Sequence, residues 1–159
     1  MTTTISLPLL QQREIEANVI APLLKAFAAE VGEEKAKEVL TRVVHDLARE
    51  AGCAAADAVG GNDLAHLKDV VVKWAALGAL EVRILRDDPD RFEFDVVRCR
   101  FAEMYRRLGL ADLGPLLSCN RDGSMIEGFN PGIEFHRTQT IMQGAAHCDF
   151  RYRRKQPGD

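Results

Sequence analysis

Two short runs constrain this chain more than any other feature. In ALEVRIL (79–85) Leu80, Val82 and Ile84 alternate with Glu81 and Arg83, and in RFEFDVV (91–97) Phe92, Phe94 and Val96 alternate with Glu93 and Asp95. Alternation of period two on both sides of Asp87-Asp88-Pro89-Asp90 predicts a β-hairpin with one apolar and one wet face.

The residues before the hairpin repeat differently. From Arg13, Ile15, Val19, Ile20, Leu23, Leu24 and Phe27 recur at helical spacing. Pro22 lies inside that stripe and predicts a kink or a restart. Gly32 separates it from a second stripe, Ala36 to Leu47, whose helix is expected to stop at Gly52. Residues 60–63 form a loop in which Asn62 or Asp63 caps a third helix carrying Leu64, Leu67, Val71 and Trp74.

After the hairpin, CRFAEMYRRLG returns to helix, with Phe101, Tyr105 and Leu108 on one face and Gly109 as the stop. A further helical stretch is expected around Leu113 to Cys119, against the local effect of Gly114 and Pro115. Gly128 and Pro131 bound a loop, and strand signals resume at Ile133 and again at His147. The expectation is an α+β fold in one domain spanning 1–159. Its first half (about 11–78) is helical; its second half (about 79–154) is α+β, with an antiparallel sheet of about four strands.

Composition narrows the partners. A net charge of −3 gives no global signal for nucleic acid or anionic lipid, and no apolar stretch approaches the ~20 residues that span a bilayer. MTTTISLPLLQQREIE has neither a basic n-region nor a long apolar h-region, so a cytoplasmic protein is expected, with Cys53, Cys99, Cys119 and Cys148 as thiols. No CxxC pair occurs and no zinc spacing is met, so no cofactor is predicted. A metal held in space by Cys99, Cys119 and Cys148 stays open. Cys53 reads as a small buried residue, and His45 and His66 as surface or core filler. The N-terminal helices are left as a pocket wall or a homo-oligomer interface. The expected partner is a small molecule, with neither nucleic acid nor membrane.

The densest chemistry is HRTQTIMQGAAHCDFR (136–151). On regular strands Ile133, Phe135, Arg137, Gln139 and Ile141 share a face opposite Glu134, His136, Thr138 and Thr140. Cys148, Phe150 and Tyr152 likewise oppose His147, Asp149, Arg151 and Arg153. Without a bulge, Cys148 and Asp149 cannot enter one pocket.

Cys99 opening CRFAEMYRRLGL, Cys119 and Asp122 in SCNRD, Pro131, RTQT with Arg137, Thr138 and Thr140, Gly144, and Cys148-Asp149-Phe150-Arg151 resemble the family of 2-aminothiazoline-4-carboxylate hydrolases. The resemblance covers about one third of the chain, in its C-terminal half. The CDF ending is also similar, more weakly, to small-molecule-binding domains related to 4-vinyl reductases. The first resemblance implies a hydrolase acting on a C–N bond of a small carboxylate-bearing cyclic amidine. It places Cys119, Asp122, Cys148 and Asp149 in the catalytic set, and Arg137, Thr138, Thr140 and Cys99 in the substrate-binding set.

Within that implication Arg137 suits the carboxylate, since guanidinium binds it at two points. Asp122 or Asp149 suits the amidine and acid–base work, and Cys119 suits covalent attack. Each residue also has an ordinary structural use. Arg137 can pair across the sheet, Asp122 in NRDG suits a turn, Thr138 and Thr140 suit strands, and the cysteines suit a core. Arg151, Arg153, Arg154 and Lys155 read as a solvated strand end. No histidine belongs to the matched pattern, so the general base is unassigned. A non-catalytic binding domain and a cysteine-based metal or redox site are the alternatives. No phosphate loop, HExxH, GxSxG or dinucleotide fingerprint competes.

Overall fold

The computed structural model of the chain describes residues 7–156 and Gly158. Residues 1–6, part of the segment read for targeting signals, lie outside the described residues. Helix α1 (Leu9–Val31) is continuous through Pro22. The carbonyl that Pro22 deprives of a donor belongs to Asn18, which is exposed, so water can satisfy it.

Helix α2 (Glu33–Val59) runs past Gly52, where the sequence suggested a stop, and ends only at Gly60, whose φ of +77° is the left-handed conformation of a C-cap. Gly52 is there for closeness. A Cβ on it would lie 2.1 Å from the Met125 carbonyl oxygen. Helix α3 (Leu64–Trp74) starts as expected, with the Asp63 carboxylate accepting from the His66 N–H at 3.0 Å.

Strands β1 (Leu80–Asp87) and β2 (Arg91–Cys99) form the anticipated hairpin, and α4 (Arg100–Arg107) follows directly. A π-helical turn, Pro115–Cys119, leads into α5 (Arg121–Phe129). Asp122 therefore sits in the first turn of a helix rather than in a loop turn, and the expected loop at Gly128 starts later. Strands β3 (Ile133–His136) and β4 (Cys148–Arg154) complete one antiparallel sheet of order β1-β2-β4-β3. Among the described residues no helix is long and apolar enough to cross a membrane.

The sheet has one dry face. Phe92, Phe94 and Tyr152 are fully buried, and Phe94 stacks on Phe150 at 4.9 Å. Helices α3 and α5 cover this face through Leu67, Val71, Ile126 and Phe129. On the wet face Asp95 accepts from Arg83 at 2.8 Å and from Arg151 at 2.9 Å. The alternation read for β1 weakens at its end, because register shifts at an edge strand leave Ile84 and Leu85 both about half exposed.

Two further expectations change. Cys53 is exposed, with its thiol 3.2 Å from the Gly128 carbonyl oxygen. The long regular strand expected over 133–141 ends at His136. The N–H groups of Thr138 and Gln139 go to the Asp149 carboxylate at 3.0 and 2.9 Å, so the chain leaves the ladder there.

Candidate functional site

A cavity of about 200 Å³ lies between α1, α2 and α3 on one side and the sheet, α4, the π turn and α5 on the other. Its walls are largely apolar, including Val70, Trp74, Val96, Phe101 and Phe150. Into it converge Cys99, Cys119, Cys148, Asp122 and Arg137, five of the eight residues selected from the sequence. The tertiary fold thus gathers residues from β2, the π turn, α5, the segment after β3, and β4.

The π turn delivers Ser118 and Cys119. Such widened turns recur at functional sites because the extra residue redirects side chains. Gly114 precedes this one, and a Cβ there would lie 2.3 Å from the sulfur of Met142, itself a wall residue. Ser118 donates to the hydroxyl of fully buried Tyr105 at 3.2 Å.

Arg137 is heavily engaged. One of its η nitrogens donates to the Asp122 carboxylate and the other to the Cys119 carbonyl at 3.0 Å. Its guanidinium lies 5.5 Å and 5.3 Å from the rings of Phe135 and Phe150, within cation–π range. Burial pushes the Asp122 carboxyl above the usual range, although Arg137 pulls it down. Asp122 retains 22% of its side-chain exposure, on a residue that lines the cavity.

Burial raises all three cavity thiols above the ordinary cysteine range. Burial, reinforced by the Asp122 charge, pushes Cys119 up to about 12. Burial takes Cys148 to about 11 against a backbone N–H from Ile141 at 3.2 Å. Cys99, which caps α4 by accepting from the Ala102 N–H, is also raised by burial. A pKa near 12 leaves a thiolate fraction of about 10⁻⁵ at pH 7.

Asp149, Thr138 and Thr140 are not cavity-wall residues. Asp149 accepts from the Thr138 hydroxyl at 2.6 Å as well as from the two N–H groups after Arg137, so it fixes the segment that carries Arg137. Buried Thr140 caps the short 3-10 turn Ile141–Gln143 by accepting from the Gln143 N–H. The parity argument holds in this respect: Cys148 faces the cavity and Asp149 does not. Among the described residues no group of three or more His, Cys, Asp or Glu is arranged to hold a metal ion.

Sequence reasoning missed Arg13 and Arg121, which line the same cavity with side chains 14% and 11% exposed. Both reach a single carboxylate, Glu16, at 2.8 and 3.3 Å. Arg121 also donates to the Leu117 carbonyl at 2.7 Å. Two guanidiniums against one carboxylate leave one positive charge uncompensated at this end of the cavity. The i,i+3 spacing of Arg13 and Glu16 was visible in the sequence; their convergence with Arg121 was not. Among the described residues the buried Tyr152 hydroxyl has no hydrogen-bond partner, and Asp122 and Arg137 are the charges that act on it.

The profile of the family described as L-2-amino-thiazoline-4-carboxylic acid hydrolase matches residues 12–152, so the likeness extends through the helical half. No curated protein matches the sequence. Among solved structures, the phenol-responsive sensory domain of the transcription activator PoxR, with phenol, aligns at a TM-score of 0.53 and 14% identity. That alignment covers 86% of this chain and 73% of that one, and it shows a shared fold.

Proposed function

From a chain that belongs to the L-2-amino-thiazoline-4-carboxylic acid hydrolase family, we propose a hydrolase that opens a small carboxylate-bearing cyclic amidine with water, using Asp122 as the proton-transfer group. The observation that carries this reading is the convergence of Asp122, Arg137 and three protonated thiols on one largely apolar cavity. At about 200 Å³ it is small beside the ~300–1,000 Å³ of ordinary ligand pockets, so its ligand is a single small ring.

In the ionised state Asp122 takes a proton from water as the oxygen attacks the amidine carbon between nitrogen and sulfur. A tetrahedral centre forms. The same carboxyl returns that proton to the ring nitrogen, then relays the second proton from the hydroxyl of the tetrahedral centre to the nitrogen as its bond to carbon breaks, leaving a carbamoyl group on sulfur and a free amine. A carboxyl with a raised pKa suits both halves of that exchange. Arg137 holds Asp122 in place and keeps enough of it ionised. The substrate's carboxylate goes to Arg13 and Arg121, because their shared partner leaves positive charge to spare while Arg137 is already committed.

Direct assay of 2-aminothiazoline-4-carboxylate hydrolysis tests this reading, and Trp74, the sole tryptophan, reports binding from the cavity wall. Cys119→Ser is expected to keep turnover within about tenfold, since a group with so little thiolate is not the attacking species. Total loss with binding intact would restore Cys119 as the nucleophile.

Arg121→Gln is expected to weaken kcat/KM about ten- to a hundred-fold, the worth of one charge-assisted hydrogen bond of ~1.5–3 kcal/mol. A substrate lacking the carboxylate should lose a similar factor with the wild type and little more with the variant. Full additivity of the two losses would return the carboxylate to Arg137.

A second reading has its own support. The PoxR domain binds phenol on a similar fold, and a cavity with protonated thiols and no histidine is also a ligand-sensing cavity. Trp74 quenching by the amidine with no product formed would favour that binding role.

A further inference from the structure

We propose that two copies of this chain associate through one face of the α1–α2 hairpin. On α1, Ile15, Val19, Leu23, Phe27 and Val31 recur every four residues and are each more than half exposed. On α2, Val39, Val43 and Leu47 repeat the spacing at 39–48% exposure.

A step of four residues drifts by only ~40°, so Val19, Leu23 and Phe27 of α1 share one side of the hairpin with Val39, Val43 and Leu47 of α2. The helices are joined through Gly32 alone, and Ala17 and Ile20 of α1 pack in one cluster with Leu40 and Val44 of α2, so the two run antiparallel. Val19 directly precedes the inward Ile20, and likewise Val39 precedes Leu40, Val43 precedes Val44 and Leu47 precedes Ala48. One residue turns a helix by ~100° in a fixed sense along its chain. For antiparallel neighbours, equal backward steps from the contact line point both stripes to one side.

The area decides for a second copy. About half of these six large apolar side chains is on the order of 600 Å², at the top of the ~300–600 Å² that the largest patch on a typical monomer exposes. It approaches the ~800 Å² per partner of a standard stable interface. Two identical hairpins, each offering ridges of four-residue spacing, pack face to face about a twofold axis with their helices crossing at roughly −50°. The face also leads to the cavity: four-residue steps from Leu47 reach Ala51 and Ala55, both wall residues.

Sedimentation equilibrium on the wild type and on Val19→Glu/Val43→Glu tests the inference, with circular dichroism as the check on folding. The expected result is a dimeric wild type and a monomeric variant. Should the variant fail to fold, the wild-type melting temperature serves instead, and for a dimer it rises with protein concentration. A wild type that is monomeric across the micromolar range, or whose melting is independent of concentration, overturns the proposal. So does a folded variant that stays dimeric. A monomer that floats with phosphatidylglycerol vesicles would overturn it in favour of a lipid surface.

Discussion

Asp122→Asn is expected to lower kcat by about 10²–10⁴, the usual contribution of a positioned acid–base group, while the ligand still quenches Trp74. The wild-type pH profile carries the same information. Burial raises the Asp122 carboxyl, and the reaction needs its ionised form, so kcat/KM should fall as pH drops through a value above the ~3.9 of a free aspartate. Arg137 pulls that value down, so Arg137→Gln should move the acid limb to higher pH. In Asp122→Asn the limb should vanish along with the rate. An unchanged limb in Asp122→Asn would mean that another group titrates, and the proposed role would fail.

Gly128→Ala is expected to destabilise the fold by about 3 kcal/mol or more, lowering the melting temperature by roughly 6–12 °C. A Cβ at this position would lie 2.0 Å from the Arg49 carbonyl oxygen, so α5 and α2 meet backbone to backbone. Gly52 makes the reciprocal approach from α2. Backbone cannot rotate aside as a side chain does, so the helices must separate and drag the first turn of α5, with Asp122, away from Arg137. Gly123→Ala on the same helix is the control. Its nearest neighbour would be a Phe135 ring carbon at 3.8 Å, and removing a helical glycine there should gain about 0.5–1 kcal/mol. Equal effects at the two positions, read by thermal or urea unfolding, would show that close approach is not what Gly128 provides.

These two substitutions mark how far the sequence reaches. Alternation fixed the β1–β2 hairpin, because a strand with one wet face must place Phe92, Phe94 and Val96 on one side and Glu93 and Asp95 on the other. The stripes of α1 to α4 and the cap at Asp63 were legible for the same reason: period and capping depend on residues close in the chain. So was the opposition of Cys148 and Asp149 across β4. The motif residues also include five members of the cavity wall.

What stayed hidden depends on residues far apart. Gly52 reads locally as a stop, and only the Met125 carbonyl against it shows that it is a contact. Asp149, Thr138 and Thr140 belong to the same motif as Arg137. Yet the Asp149 carboxylate draws the N–H groups of residues 138 and 139 out of the ladder, turning them into a brace for Arg137. Cys119 reads as a nucleophile by residue type, but burial beside the Asp122 charge raises its pKa to about 12. Arg13 and Arg121, 108 positions apart in the sequence, meet on the Glu16 carboxylate only in the folded chain. Desolvation and charge pairing are properties of the assembled cavity, and a linear pattern carries neither.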